Sequence, residues 1–476
     1  MAETLAPDVI LEVRMSAATS TAPTDLSADV RRVIKLAVPV ALGELGWMAM
    51  TVVDTIMVGS LGPAAIGAIG VGNSAFYTFA IFGMGLLLGL DTLVSQAFGA
   101  GNREDCHRSL AQGVYGALFL TVPLMAIFAC MPPSFKALGI NATVSRLAGS
   151  FVTTLSFSTL PLLLYGAFRR YLQGIGHVRP VMFALVSANL INWFFNWLFI
   201  QGHWGFPALG VVGSALSTCL ARVYMAGTLA FFIWWFERGL RPGFGNLFQK
   251  PDWDRLLALG RIGLPAAMQI LLEIGAFGSA AVLAGRLNPV ALAAHQIALN
   301  CAAVSYMVPL GISSAAAVAV GHAIGRGYPD AARRSGFIAV VLACAFMMCS
   351  AVAFLTIPRQ ILRVYTTDVQ VLQIGVGLLA IGAWFQLFDG IQTVATGALR
   401  GLGDTRIPMF VNLAGYWFFG LPIGYVLCFH YGRGVYGLWW GLTLALIAIS
   451  LVLLVSWQRK ASQLRLTPYM KQAARD

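Results

Sequence analysis

Gln96-Ala97-Phe98-Gly99-Ala100-Gly101, followed by Arg108, returns 226 residues later as His322-Ala323-Ile324-Gly325-Arg326-Gly327, followed by Arg334. Both stretches interrupt long apolar runs. The same offset carries Leu36-Ala37-Val38-Pro39 onto Ile262-Gly263-Leu264-Pro265, and Gly59-Ser60-Leu61-Gly62-Pro63-Ala64 onto Gly285-Arg286-Leu287-Asn288-Pro289-Val290. Gly174-Ile175-Gly176 meets Gly401-Leu402-Gly403 at an offset of 227. Glycine and proline punctuate many membrane helices, but chance reuse does not hold one offset across unrelated places. The chain reads as two copies of one unit, so a site made only once marks where the copies diverged.

Composition sets the class. The chain is 58% hydrophobic and 11% charged over 476 residues, against roughly 25% charged for a soluble domain. It is a polytopic membrane protein, and its first partner is the lipid bilayer. A net charge of +12 would suit nucleic acid if the basic residues were clustered. They lie singly between apolar runs, which excludes that partner. Of the seven cysteines, Cys130, Cys219, Cys344 and Cys428 fall inside apolar runs, and none forms a CxxC pair or a metal-binding spacing. They read as small packing residues, and no cofactor is expected. Residues 1–30 are rich in Ala, Thr and Ser and lack the apolar core of a signal peptide, so they read as a disordered cytoplasmic tail.

A bilayer core about 30 Å thick asks for roughly 20 apolar residues per helix. Twelve runs qualify: 33–58, 64–98, 108–131, 142–167, 180–201, 209–236, 256–284, 290–322, 332–357, 370–398, 408–430 and 435–458. With the N-terminus inside, 24 of the 31 Lys and Arg residues fall in cytoplasmic segments, six (Lys136, Arg146, Arg286, Arg359, Arg363, Arg433) fall outside, and Arg222 lies within a helix. This bias puts both termini in the cytoplasm of a multi-pass protein of the cell inner membrane. The expected fold is all-α, with six-helix bundles at 31–236 and 256–458, a cytoplasmic linker at 237–255 and a C-terminal tail at 459–476. Six helices is an even number, so the copies enter the membrane the same way up. A pseudo-twofold axis along the membrane normal then relates them, with a cavity between.

Carboxylates inside spans are costly and therefore functional candidates. Five occur: Glu44, Asp54, Asp91, Glu273 and Asp389, none with a basic residue one helical turn away. Glu273 follows Pro265 by about two turns, and Asp389 is central in its helix next to Gln386. Their offset partners are Trp47 and a leucine at 162 or 163, so the pair belongs to the second bundle alone and suggests a cation site there. Asp54, whose partner is Ala280, is placed to face the inter-bundle cavity and to carry a proton. Asn192 and Asn196, one turn apart, are positioned to hydrogen-bond it. Glu44 is either cavity-lining or snorkels to an end. Asp91 and His295 read as structural, and Gln296 could bear on the cation site.

Taken together, VDTIMVG in the first helix, SQAFGAGN after the second, AAHQIALN in the eighth and LRGLGDTRIP after the tenth resemble the multidrug and toxin extrusion (MATE) family, from about residue 31 to 458. The closest likeness is to its bacterial NorM-type branch. The resemblance implies a twelve-helix antiporter, acting as a monomer, that expels cationic amphipathic drugs and takes in Na⁺ or H⁺. In it, Glu273 and Asp389 match the cation-binding acids, where Na⁺ could sit. Asp54 matches the first-bundle acid, and Gln296, Asn192, Asn196 and Gln386 match supporting polar positions. Phe385 stands where many relatives carry Tyr, which removes one oxygen ligand and leaves H⁺ open as the coupling ion. Apolar helices rich in Phe, Trp and Met suit a lipophilic cation.

Other classes fit less well. A lipid-linked precursor flippase of a related branch is the alternative, but it would be expected to line its cavity with arginines, and only Arg222 is expected deep in a helix. An intramembrane enzyme needs a Ser–His, paired-Asp or His-rich constellation, and His107, His177 and His203 fall in expected loops. A channel or receptor does not account for duplicated six-helix halves.

Overall fold

Prolines open the apolar runs and capping side chains close off their free amides. Pro63, Pro289 and Pro329 sit in first turns, where a missing N–H costs nothing. Asn141, Asp252, Asn288 and Asp368 accept backbone N–H bonds at helix starts. The computed structural model describes residues 26–137, 139–238 and 250–463, and all regular elements among them are helical.

Eleven of these helices are long and apolar enough to cross a bilayer, and one bent pair makes a twelfth span. In order they are α1 (Leu26–Gly59), α2 (Pro63–Gly99), α3 (Arg103–Ala137), α4 (Ala142–Ser156 with Thr159–Gly174), α5 (Arg179–Gln201), α6 (Val211–Glu237), α7 (Trp253–Gly285), α8 (Pro289–Gly325), α9 (Pro329–Thr356), α10 (Val369–Gly401), α11 (Arg406–His430) and α12 (Val435–Gln463). The spans α1–α6 make one half and α7–α12 the other, and the halves pack on each other through α1 and α2 against α8 and through α2 against α7.

The observed limits depart from the expected ones in physically readable ways. Residues 26–30, assigned to the tail, are the first turns of α1, and residues 1–25 lie outside the described residues. Of the linker, residues 239–249 lie outside them, as do residues 464–476 of the C-terminal tail. The fourth span continues to Gly174 but bends by 51°. At the bend the Ser158 and Thr159 hydroxyls each donate to a carbonyl three residues back, both at 2.6 Å, in competition with the helical ladder. α11 is wound as π-helix over Leu413–Gly420 and Val426–His430.

The repeated junction becomes a repeated geometry. Gly101 and Gly327 take φ of 75° and 77°, a left-handed turn that favours glycine. Each follows a glycine pressed against the opposite bundle. A methyl group on Gly99 would fall 2.4 Å from the His322 carbonyl oxygen, and one on Gly325 would fall 2.1 Å from that of Gln96. Deeper in, Gly85 approaches the Ala267 backbone and Gly311 that of Ala41, each leaving 2.6 Å for an added carbon. Within each pair the residues exchange under the 226 offset. The bundles therefore meet along a pseudo-twofold seam at the end that carries Leu26 and Gln463, here called the terminal end.

Polar bonds cross the same seam. Thr92 Oγ1 donates to the Arg400 carbonyl at 2.5 Å, Gln96 Nε2 to the Gly401 carbonyl at 2.9 Å, and His322 Nε2 bonds the Gly174 carbonyl at 2.6 Å. Gly99→Leu and Gly325→Leu are each expected to cost about 1–3 kcal/mol of seam packing and to abolish transport in inserted protein. Gly70→Leu, which meets open space, is the control. Equal uptake or efflux by all three variants and wild type would show that the seam tolerates separation.

Candidate functional site

Glu273 lies on α7 eight residues past Pro265, and Asp389 is buried at the middle of α10. The two carboxyls are near enough for their charges to act on each other directly. Gln392, on the turn after Asp389, reaches Glu273. It also accepts from Tyr416 Oη at 2.9 Å and donates to Asn412 Oδ1 at 3.2 Å. The π-helical winding of α11 widens the turn there, so that Tyr416 reaches α10 while Trp417 Nε1 donates to the Leu272 carbonyl on α7 at 3.0 Å. Tyr306, three residues before Pro309 on α8, completes the group. Its phenol feels Glu273 and Asp389 and, from the other bundle, Glu44.

The remaining expected residues fall into distinct places. Gln386 is fully buried and its amide donates to Ser305 Oγ on α8, holding α8 to α10 beside the acids. Phe385 is a packing residue, 3% exposed, with its ring against Phe277 and Trp439. Two phenols come from other helices, Tyr306 on α8 and Tyr416 on α11, the latter bonded to Gln392. Gln296 is exposed, and no side-chain hydrogen bond ties it to either acid among the described residues. His295 is buried and accepts from Trp439 Nε1 at 3.1 Å, as a packing histidine does.

The first bundle holds its own acid. Asn196 Nδ2 donates to Asp54 Oδ1 at 2.6 Å and Thr218 Oγ1 to Oδ2 at 3.2 Å, while Asn196 also bonds Asn192 Oδ1 at 3.1 Å. The structure thus brings together Asp54, Asn192 and Asn196 and adds Thr218 from α6. One turn on, Arg222 is 1% exposed, donates to Ser158 Oγ at 2.6 Å and to Tyr77 Oη at 3.1 Å, and lies 4.8 Å over the Phe76 ring. Arg222 also lies near enough to act on Asp54 electrostatically.

Arg222 is not alone in the interior, contrary to expectation. Glu44 is an ion pair with Arg169 of α4, both buried, and so is not a free cavity acid. Asp91 is held by Arg170 of its own bundle and Arg400 of the other, each at 3.3 Å. These partners lie on other spans, so helical spacing gave no sign of them. Tyr306, Gln392, Thr218, Asn412 and Tyr416 were also missed. The only local signals were Gln392 three residues after Asp389, and the pairing of Thr218 with Arg222 at i, i+4.

Among the described residues, no cluster of three or more His, Cys, Asp or Glu side chains could hold a metal. A Na⁺ ion between Glu273 and Asp389 would need further ligands from neutral oxygens, of which the Gln392 carbonyl oxygen already accepts from Tyr416.

A two-bundle helical fold with a seam closed at one end and acids buried in each half defines a secondary-transporter architecture. The MatE family model matches residues 39–198 and 265–426, one segment in each bundle. The multidrug resistance protein NorM of Burkholderia vietnamiensis is 35% identical over 458 residues, covering 94% of this chain and 98% of its own length. Among solved structures, the eukaryotic MATE transporter AtDTX14 has a TM-score of 0.81 at 21% identity, covering 92% of this chain and 99% of that one. An outward-facing MATE family transporter has a TM-score of 0.84 at 19% identity, covering 92% and 97%. The chain belongs to the MatE family of membrane transporters, and it is not an enzyme.

Breaking a buried ion pair by neutralising one partner costs about 3–5 kcal/mol. Glu44→Gln is therefore expected to lower the thermal unfolding midpoint of the purified protein markedly by stranding Arg169. An unchanged midpoint would mean that Arg169 finds its partner elsewhere.

Proposed function

We propose that this protein is a multidrug efflux antiporter that expels cationic amphipathic compounds in exchange for H⁺ or Na⁺ entering down its gradient. The observation that carries this reading is the unrepeated pair Glu273 and Asp389, set among phenols and amides beside the seam in one bundle only. A lipophilic cation needs an aromatic surface for its body and a carboxylate for its charge, and the same carboxylates serve H⁺ or Na⁺. Drug and ion then compete for one site.

Alternating access follows from the seam. Small residues meet backbone to backbone at the terminal end, so the two bundles can part there and close at the other end by rocking about the central site between them. Asp54, with Asn192, Asn196 and Thr218, acts as a second carrier of the coupling ion in the first bundle. The domain division proposed is the two bundles with a cytoplasmic linker and tails, in a monomer of the inner membrane with both termini cytoplasmic. The flippase reading is the weaker one because the arginines that meet inside the spans, Arg169, Arg170 and Arg400, are each matched to a carboxylate, so none of these three is free to line a central cavity for a pyrophosphate.

The test is efflux of a fluorescent cation from proteoliposomes, driven by a Na⁺ gradient alone and then by a pH gradient alone. One of the two gradients is expected to drive wild-type efflux. Glu273→Gln and Asp389→Asn are each expected to abolish that efflux, with the protein still inserted and folded. Wild-type efflux in either variant would refute competition at the pair.

A further inference from the structure

A strongly basic cavity lies away from the acids. It encloses about 1220 Å³ at the terminal end and is lined by the start of α1, the α4–α5 turn, the lower part of α6 and the end of α8. Five permanently charged side chains face it: Arg31, Arg32 and Lys35 from α1, Arg179 from the first turn of α5, and Arg326 just past α8. None of its described lining residues is Asp or Glu. Burial, and then the nearby Arg32 guanidinium, pull Arg326 below its usual pKa, so like charges crowd here without an acid in the wall between them. α5 begins at this cavity with Pro180 in its first turn, adding the positive end of a 23-residue helix.

The rest of the wall is apolar and faces outward. Ile34 and Val38 continue the face of α1 that carries Arg31 and Lys35, one turn deeper. Phe183 does the same on α5, and Phe236, in the last turn of α6, stands beside the charged rim. They are 40%, 51%, 53% and 37% exposed, on spans whose surroundings are lipid. Charge at the rim of a span with exposed aromatic and branched side chains directly below it matches an amphiphile with an anionic head and acyl tails. A soluble anion would have no use for the apolar half.

We propose that this cavity binds the phosphate of an anionic phospholipid from the leaflet at the terminal end, its acyl chains lying along Ile34, Val38, Phe183 and Phe236. The site joins both bundles, because Arg326 belongs to the second and the other four cations to the first. The lipid therefore sits beside the Gly99–His322 contact of the closed seam.

The test is native mass spectrometry of the purified full-length protein released from a non-ionic detergent with added dioleoyl phosphatidylglycerol or dioleoyl phosphatidylcholine. Wild type is expected to retain phosphatidylglycerol in clear preference to phosphatidylcholine. Each charge near a membrane surface is worth roughly fivefold in binding. Arg32→Gln/Arg179→Gln/Arg326→Gln is therefore expected to lose on the order of a hundredfold in phosphatidylglycerol affinity, and the matching triple Lys variant to keep most of it. The Lys variant separates lost charge from lost fold. Equal retention of the two lipids by wild type, or undiminished preference in the Gln variant, would overturn the proposal. So would displacement of phosphatidylglycerol by millimolar inorganic phosphate, which would assign the site to a free anion.

Discussion

Backbone approach between two bundles is the constraint on which the rest of this structure depends. At Gly85 against Ala267, Gly311 against Ala41, Gly99 against His322 and Gly325 against Gln96, the partner backbone leaves room for only the hydrogen of each glycine. Close approach of small residues is how helices associate in a medium as apolar as their own side chains, where packing and hydrogen bonds must supply the attraction. Here the approaches come in pairs exchanged by a 226-residue offset, so one contact solves two positions. Asp91 adds charge to the seam, held from one side by Arg170 and from the other by Arg400.

The seam sets the job of everything else. With the terminal end closed by packing, the acids lie beyond it, Glu273 and Asp389 in one bundle and Asp54 in the other. They are built differently. Asp54 is enclosed by two amides, a hydroxyl and a neighbouring guanidinium, whereas Glu273 and Asp389 have each other and neutral oxygens. In the proposed function both take part: the carboxylate pair without a basic partner receives drug or ion, and Asp54, held by its amides and hydroxyl, is a second carrier of the coupling ion. The division between a symmetric scaffold and asymmetric chemistry thus appears in the contacts as well as in the sequence.

Much of the scaffold was legible because breakers and charges are local signals. The junctions at Gly101 and Gly327, the prolines opening α2 and α8, and the twelve apolar runs required only length, spacing and offset. The acids were legible as costs, since a carboxylate in a span demands a reason. What was hidden depends on partners distant in sequence. Arg169 meets Glu44 across 125 residues, and Arg400 meets Asp91 across more than 300, so residues read as isolated prove to be paired. At the bend in α4, the Ser158 hydroxyl that competes with the helical ladder also accepts from Arg222. Tyr416 reaches Gln392 through a π-helical stretch of α11 that apolar periodicity does not reveal.

If the bundles must part at the seam for every transport cycle, tying them together there should stop the cycle and untying them should restore it. The direct measurement is transport by proteoliposomes carrying Phe98→Cys/His322→Cys, at two positions whose native rings lie 5.0 Å apart across the seam, in a background without the seven native cysteines, oxidised and then reduced. The account predicts that the oxidised, cross-linked protein is inactive and that reduction returns the rate of the uncross-linked double variant. Full-rate transport by protein shown to be cross-linked would contradict it.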